Sequence, residues 1–197
     1  MSRKRVAVLI SGRGSNMTAL IEAAKAQDYP ADIALVVSNR PDAMGLTRAR
    51  EAGIPTVVVD HLRFGEDREA FERALDAELV AHRIDLVCLA GFMRLLTPWL
   101  VTRWSGRMLN IHPALLPQFK GLNTHRRAIE AGAKRHGATV HFVSLEMDAG
   151  PIILQESIPV FAGDTEDTLA KRVLEVEHRI YPQALQLVAE GRATFSK

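Results

Sequence analysis

Four short, nearly continuous apolar runs, at residues 6–10, 33–38, 56–59 and 86–89, alternate with segments whose apolar residues recur at helical spacing. Strands this apolar need cover on both faces, and strands joined through helices run parallel because only a crossover returns the chain to the same edge. The first half therefore reads βαβαβαβ, with helices expected near 16–25, 42–52 and 67–81, and with Gly53 and Pro55 as the stop signal after the second. After Ala90 the pattern breaks at Pro98, Pro113, Pro117 and Gly121, so 111–124 reads as one long loop. A short helix near 125–132 follows, then strands near 139–143 and 152–160 around the turn Asp148-Ala149-Gly150-Pro151. Their short connection predicts an antiparallel hairpin. Leu169, Val173, Val176 and Ile180 then mark a closing helix from about Thr165 that Pro182 bends or ends. The expected architecture is one α/β domain over residues 1–197 with a mixed, mostly parallel sheet.

Charge narrows the range of partners. Lys+Arg 25 against Asp+Glu 23 gives a formal +2 spread along the chain, whereas a nucleic-acid binder needs clustered cations. A 47% hydrophobic, 24% charged composition excludes disorder as the main state. The lone cysteine, Cys88, lies in an apolar run with no activating neighbour, so no disulfide or zinc framework is expected within one chain, and the cytoplasm is the default compartment. The apolar run after the basic start at 1–5 is too short for a signal or a membrane span. His136 and His141 are weak metal candidates, and His61 and His82 read as solvated.

Three places carry candidate chemistry. Gly12, Arg13, Gly14, Ser15 and Asn16 follow the first strand and open a helix, where main-chain N–H groups can hold a phosphate. A dinucleotide fingerprint needs a small residue at Met17 and an acid near Ser38-Asn39, and a Gly-Lys-Ser/Thr signature is absent, so a small monophosphate remains. The same residues also read as a tight turn capped by Ser15 or Asn16. In Asn110-Ile111-His112 the two polar side chains share one strand face, while Leu109 and Ile111 point the other way. If this strand is parallel to the first, the pair stands at the ligand-binding edge and suits acyl transfer, the imidazole moving protons and the amide donating to an oxyanion. A strand terminus satisfying loop backbone is the alternative. Asp148 could orient an imidazole, yet Asp-Ala-Gly-Pro is ordinary turn chemistry, and taken alone it reads as structural.

Taken in order, the motifs resemble one family, phosphoribosylglycinamide formyltransferase. The resemblance runs through Val-Leu-Ile-Ser-Gly-Arg-Gly-Ser-Asn at 8–16, Leu-Ala-Gly-Phe-Met-Arg-Leu-Leu at 89–96 and Asn-Ile-His-Pro-Ala-Leu-Leu-Pro at 110–117. It continues in Gly-Ala-Thr-Val-His-Phe-Val at 137–143, Asp-Ala-Gly-Pro-Ile-Ile-Leu-Gln at 148–155 and Glu-His-Arg-Ile-Tyr-Pro at 177–182. It implies a Rossmann-like formyltransferase fold and transfer of a formyl group from 10-formyltetrahydrofolate, as co-substrate, to the amine of 5-phosphoribosylglycinamide in purine biosynthesis. By position it implies Asn110, His112 and Asp148 as the catalytic set. It implies substrate contacts from Gly12, Arg13, Gly14, Ser15, Asn16 and Glu177, and folate contacts from Arg68, Met93, Arg94, Leu95, Leu96 and Asn110. No metal, nucleic acid or membrane partner is implied, and the chain is expected as a monomer or homodimer.

Two positions depart from the family: Arg13 stands where Asn is common, and Asn123 where His is common, so Asn123 is given no proton-transfer role. Methionyl-tRNA formyltransferase and formyltetrahydrofolate hydrolase carry further domains, for which 197 residues are expected to leave no room. A non-catalytic sensor of a phosphoribosyl metabolite would use the first loop alone and would not need Asn110, His112 and Asp148.

Overall fold

A computed structural model describes residues 3–195; residues 1–2 and 196–197 of the expected domain lie outside the described residues. The chain runs β1 (Lys4–Ile10), α1 (Ser15–Ala24), β2 (Ala31–Ser38), α2 (Met44–Glu51), β3 (Thr56–Val58), a 3₁₀ turn at His61–Phe64, α3 (Arg68–Ala81) and β4 (Leu86–Leu89). Then follow α4 (Pro98–Arg103), β5 (Met108–His112), α5 (Thr124–Glu130), β6 (Arg135–Phe142), β7 (Ile152–Pro159) and α6 (Glu166–Ala189).

The strands form one seven-stranded sheet in the order β3-β2-β1-β4-β5-β6-β7. The first five run parallel, and β6 and β7 pair antiparallel, as the hairpin reading expects. Alternation along each strand sends side chains to two cores. Val6, Val8, Ile10, Cys88, Leu109 and Ile111 pack on the side covered by residues of α1, α2 and α6. Ala7, Leu9, Val87, Leu89 and Met108 pack on the other side with Phe71, Leu75 and Leu79 of α3 and Leu100 of α4. Helices thus lie on both faces. Burial pushes the Cys88 thiol up to about 12, in keeping with an inert core residue. No described helix is long and apolar enough to cross a membrane.

Three elements differ from the expectation. Pro98 does not break structure; it occupies the first turn of α4, where a missing N–H costs nothing. β6 begins at Arg135, because pairing from Arg135↔Pro159 onward draws its polar start into the sheet. α6 continues through Pro182 to Ala189, since Ala184 and Leu185 extend the buried stripe beyond it. Tyr29 Oη also donates to the Pro182 carbonyl at 2.7 Å, which fastens the helix there to the residues before β2.

The hairpin backbones approach very closely at two glycines. A Cβ on Gly137 would lie 2.0 Å from the Glu156 carbonyl oxygen, and one on Gly150 would lie 1.8 Å from that of Phe142. The turn carrying Asp148 is therefore seated against β6 without an intervening side chain.

Candidate active site at the carboxyl edge of the sheet

Parallel β1 to β5 all end on one edge, where open α/β sheets bind ligands. Between β1 and α1, Gly14 adopts φ 72°, a left-handed conformation cheap only for glycine, and turns the chain into the helix. Gly12 and Arg13 are exposed, and Ser15 is half-buried. Asn16 is buried and donates from Nδ2 to Glu177 Oε2 at 2.6 Å, joining α1 to α6 across 161 residues. Its Oδ1 is buried without a partner among the described residues. Burial raises the Glu177 carboxyl above its usual range, against the lowering effect of the Asn16 amide.

A cleft of about 630 Å³ opens beside this loop, lined among others by Ser11, Gly12, Asn39, His61, Gly91 and Met93. After β4 the chain passes irregularly through Met93, Arg94, Leu95 and Leu96, of which Met93 and Leu95 are exposed. Arg68 stands exposed on the first turn of α3. It makes no hydrogen bond or ion pair with Asn110, His112 or Asp148 among the described residues.

The polar pair on β5 lies farther along the same edge and does not line the cleft. Asn110 and His112 share a sheet face, with Leu109 and Ile111 in the opposite core. His112 Nε2 lies 2.9 Å from the Phe119 carbonyl, so that nitrogen carries the proton. Its Nδ1 faces Asp148 Oδ2 at 3.5 Å. Asp148 has φ 52°, a left-handed turn conformation that Asp tolerates, and accepts from the Gly121 N–H at 2.9 Å. The carboxylate therefore ties the 113–123 segment to the imidazole. That segment also contains a cis Leu116-Pro117 bond and left-handed residues at Phe119 and Asn123.

His141 is the member that the sequence reading overlooked. It sits directly opposite Asn110 in the β5–β6 ladder, is 2% exposed, and faces Asp148 Oδ1 from Nε2 at 3.8 Å. Its Nδ1 must donate, because its partner is the Phe142 carbonyl at 2.9 Å. Burial lowers its pKa most, with the His112 charge adding to that, against the Phe142 carbonyl and Asp148, which raise it. A neutral ring has a bare Nε2, which can only accept, so Asn110 turns its Nδ2 toward it at 3.3 Å. The only available signal was cross-strand register, since the two residues are 31 apart. His61 and His82, read as solvated, are half-buried, with Nδ1 at 2.8 Å from the Asn39 and Glu78 carbonyls respectively.

An open, mostly parallel sheet with these residues at its carboxyl edge defines a class, and the chain belongs to it: residues 4–185 match the formyl transferase family. The phosphoribosylglycinamide formyltransferase of Escherichia coli (strain K12) is 50% identical over 187 residues, covering 95% of this chain and 88% of that protein. The human trifunctional purine biosynthetic protein adenosine-3 is 52% identical over 189 residues, or 96% of this chain. The chain spans only 19% of the human protein's length. The crystal structure of phosphoribosylglycinamide formyltransferase from Brucella melitensis superposes with a TM-score of 0.91 at 49% identity, covering 99% of this chain and 100% of that one.

Proposed function

We propose that the protein transfers a formyl group from 10-formyltetrahydrofolate to the amine of 5-phosphoribosylglycinamide, giving the formylglycinamide ribonucleotide and tetrahydrofolate. The observation that carries this reading is the convergence of Asn110, His112 and Asp148 from two separate elements at the ligand-binding edge of a formyl transferase sheet. The Escherichia coli and Brucella melitensis relatives, named for this reaction, support the choice of substrates.

In this reading the substrate amine attacks the formyl carbon, a C–N bond forms, and charge collects on the formyl oxygen. The bond to the folate nitrogen then breaks, the leaving nitrogen gains a proton, and the former amine loses one. Asn110, with one amide hydrogen engaged by His141, has its other free for the developing oxyanion. Asp148, 3.5 Å from Nδ1, holds the His112 ring in orientation while the proton moves. To serve a reacting oxygen from Nε2, His112 must exchange its Phe119 carbonyl partner, which couples catalysis to the 113–123 segment.

For the ribonucleotide we assign Gly12 to Asn16 and Glu177. The loop N–H groups face the phosphate, and the unpartnered Asn16 Oδ1 offers an acceptor. Arg68, Met93 to Leu96 and Asn110 are assigned to the folate. The decisive assay follows 10-formyltetrahydrofolate with and without the ribonucleotide. Consumption only when both are present, with an N-formyl product, is the expected result. Consumption without the ribonucleotide would mean a hydrolase, and none with both would sink the proposal.

A further inference from the structure

Residues 91–96 belong to no helix or strand, yet their course is fixed at both ends by side chains from outside the segment. The last ladder bond before it is Ala90 N–H to the Leu9 carbonyl at 2.9 Å. At the near end, the Met93 N–H donates to Ser11 Oγ at 2.8 Å, and that hydroxyl donates in turn to Asn39 Oδ1 at 2.6 Å. At the far end, the Thr97 N–H donates to Glu72 Oε1 at 2.6 Å, and the Thr97 hydroxyl donates to Glu72 Oε2. Glu72 is 1% exposed, so its carboxylate sits in the core of α3 for the sake of this one contact. Between the anchors, the main-chain N–H and C=O groups of Arg94, Leu95 and Leu96 have no intramolecular partner among the described residues. A short row of free donors and acceptors is thus held at fixed spacing along the cleft edge.

We infer that Ser11 and Glu72 are positioning residues for the folate co-substrate: they clamp the 93–97 segment so that its unpaired main chain presents a preformed hydrogen-bonding edge to a flat heterocycle. The inference rests on the proposed function and deepens it. A segment left loose would lose rotational freedom only on binding, so the clamp acts on affinity through preorganisation. It does not act on the reacting carbon. Arg68 lies one helical turn before Glu72 on α3, so the same helix that anchors the segment also carries the cation assigned to the folate.

Steady-state kinetics with both substrates varied, and tetrahydrofolate titration followed by the fluorescence of Trp99 in α4 and Trp104 just after it, test the clamp. Glu72→Ala is expected to raise the folate KM and the tetrahydrofolate Kd about tenfold, the worth of a charged hydrogen-bonded pair, with kcat and the ribonucleotide KM within about twofold. Glu72→Gln, which keeps an acceptor for the Thr97 N–H, recovers most of that loss. Ser11→Ala shows the same selectivity to a smaller extent, and should Glu72→Ala fail to fold, the other two variants carry the test. Equal rises in both KM values, a fall in kcat alone, or an unchanged folate KM would each overturn the inference. A wild-type protein that fails to transfer formyl at all would instead overturn the proposed function, and the fluorescence titration would still report on the clamp.

Discussion

Asn110 is a single side chain with two ways to face the reaction, and His141 decides between them. Because the bare Nε2 accepts, the amide nitrogen of Asn110 is held on the donor side, the orientation that the proposed oxyanion contact requires. His141→Phe keeps the bulk and removes the acceptor, so kcat is expected to fall about tenfold while both KM values hold, the loss being that of one hydrogen bond. A parallel rise of KM would show that His141 shapes binding instead. His112→Ala is expected to lose about 10² to 10³ in kcat with nucleotide binding retained, and near-normal turnover would remove its assigned role. Arg13 is exposed, and the structure gives it no partner among the described residues; if it meets the substrate phosphate, Arg13→Ala raises the ribonucleotide KM and leaves the folate KM alone. The Asn110 and His112 pair was legible in the sequence because alternate residues share a strand face, whereas Asp148 taken alone reads as ordinary turn chemistry and joined them only through the family resemblance. His141 was not, because its partnership is created by strand register, and no local spacing reports which residues a ladder brings face to face.

Elements were legible where one periodicity held throughout. The parallel core strands and the helices between them followed from apolar runs and helical spacing, since both faces of the sheet demand the same residue types. α4 was missed because proline reads as a breaker, although at a helix start it is a former. The start of β6 was missed because Arg135 and His136 owe their strand conformation to β7 and not to their own propensity. The joint between α2 and the Gly12–Asn16 loop, which we assign to the ribonucleotide, gives an element-level prediction. The Gly45 N–H donates to the Gly12 carbonyl at 2.9 Å, and a Cβ on Gly45 would lie 2.5 Å from Ile10 Cδ1 and 3.2 Å from the Gly12 oxygen. Gly45→Ala should therefore displace the loop, raising the ribonucleotide KM several-fold and lowering stability by about 1–3 kcal/mol, as overpacking does. A urea midpoint and ribonucleotide KM equal to wild type would contradict the contact.

At the scale of the molecule, we propose that residues 1–197 fold as one unit, because α6 packs through a single core against strands from both halves of the sheet. Tryptophan fluorescence and far-ultraviolet circular dichroism should then report one coincident urea transition, and two separated transitions would contradict it. Acid should weaken that unit. Burial lowers the pKa of His125, His136, His141 and His178, with His136 reaching about 4. The unfolded chain therefore binds more protons than the folded one between about pH 6.5 and 4, and stability present above that window is lost as pH falls through it. The buried carboxyls of Glu72 and Glu177, raised by burial, act in the opposite sense, so a variant isolates the histidine contribution. His136 is fully buried, and His136→Leu should reduce the loss of unfolding free energy between pH 7 and pH 5 by about 2 kcal/mol. An identical loss in the two proteins would show that His136 does not stay neutral.

The contacts at Gly137 and Gly150 reach beyond the protein to its gene. An added methyl at either site would meet backbone oxygen, which cannot swing aside as a side chain can. Those two codons should accumulate only synonymous changes, even in lineages that have abandoned the reaction but still require the chain to fold.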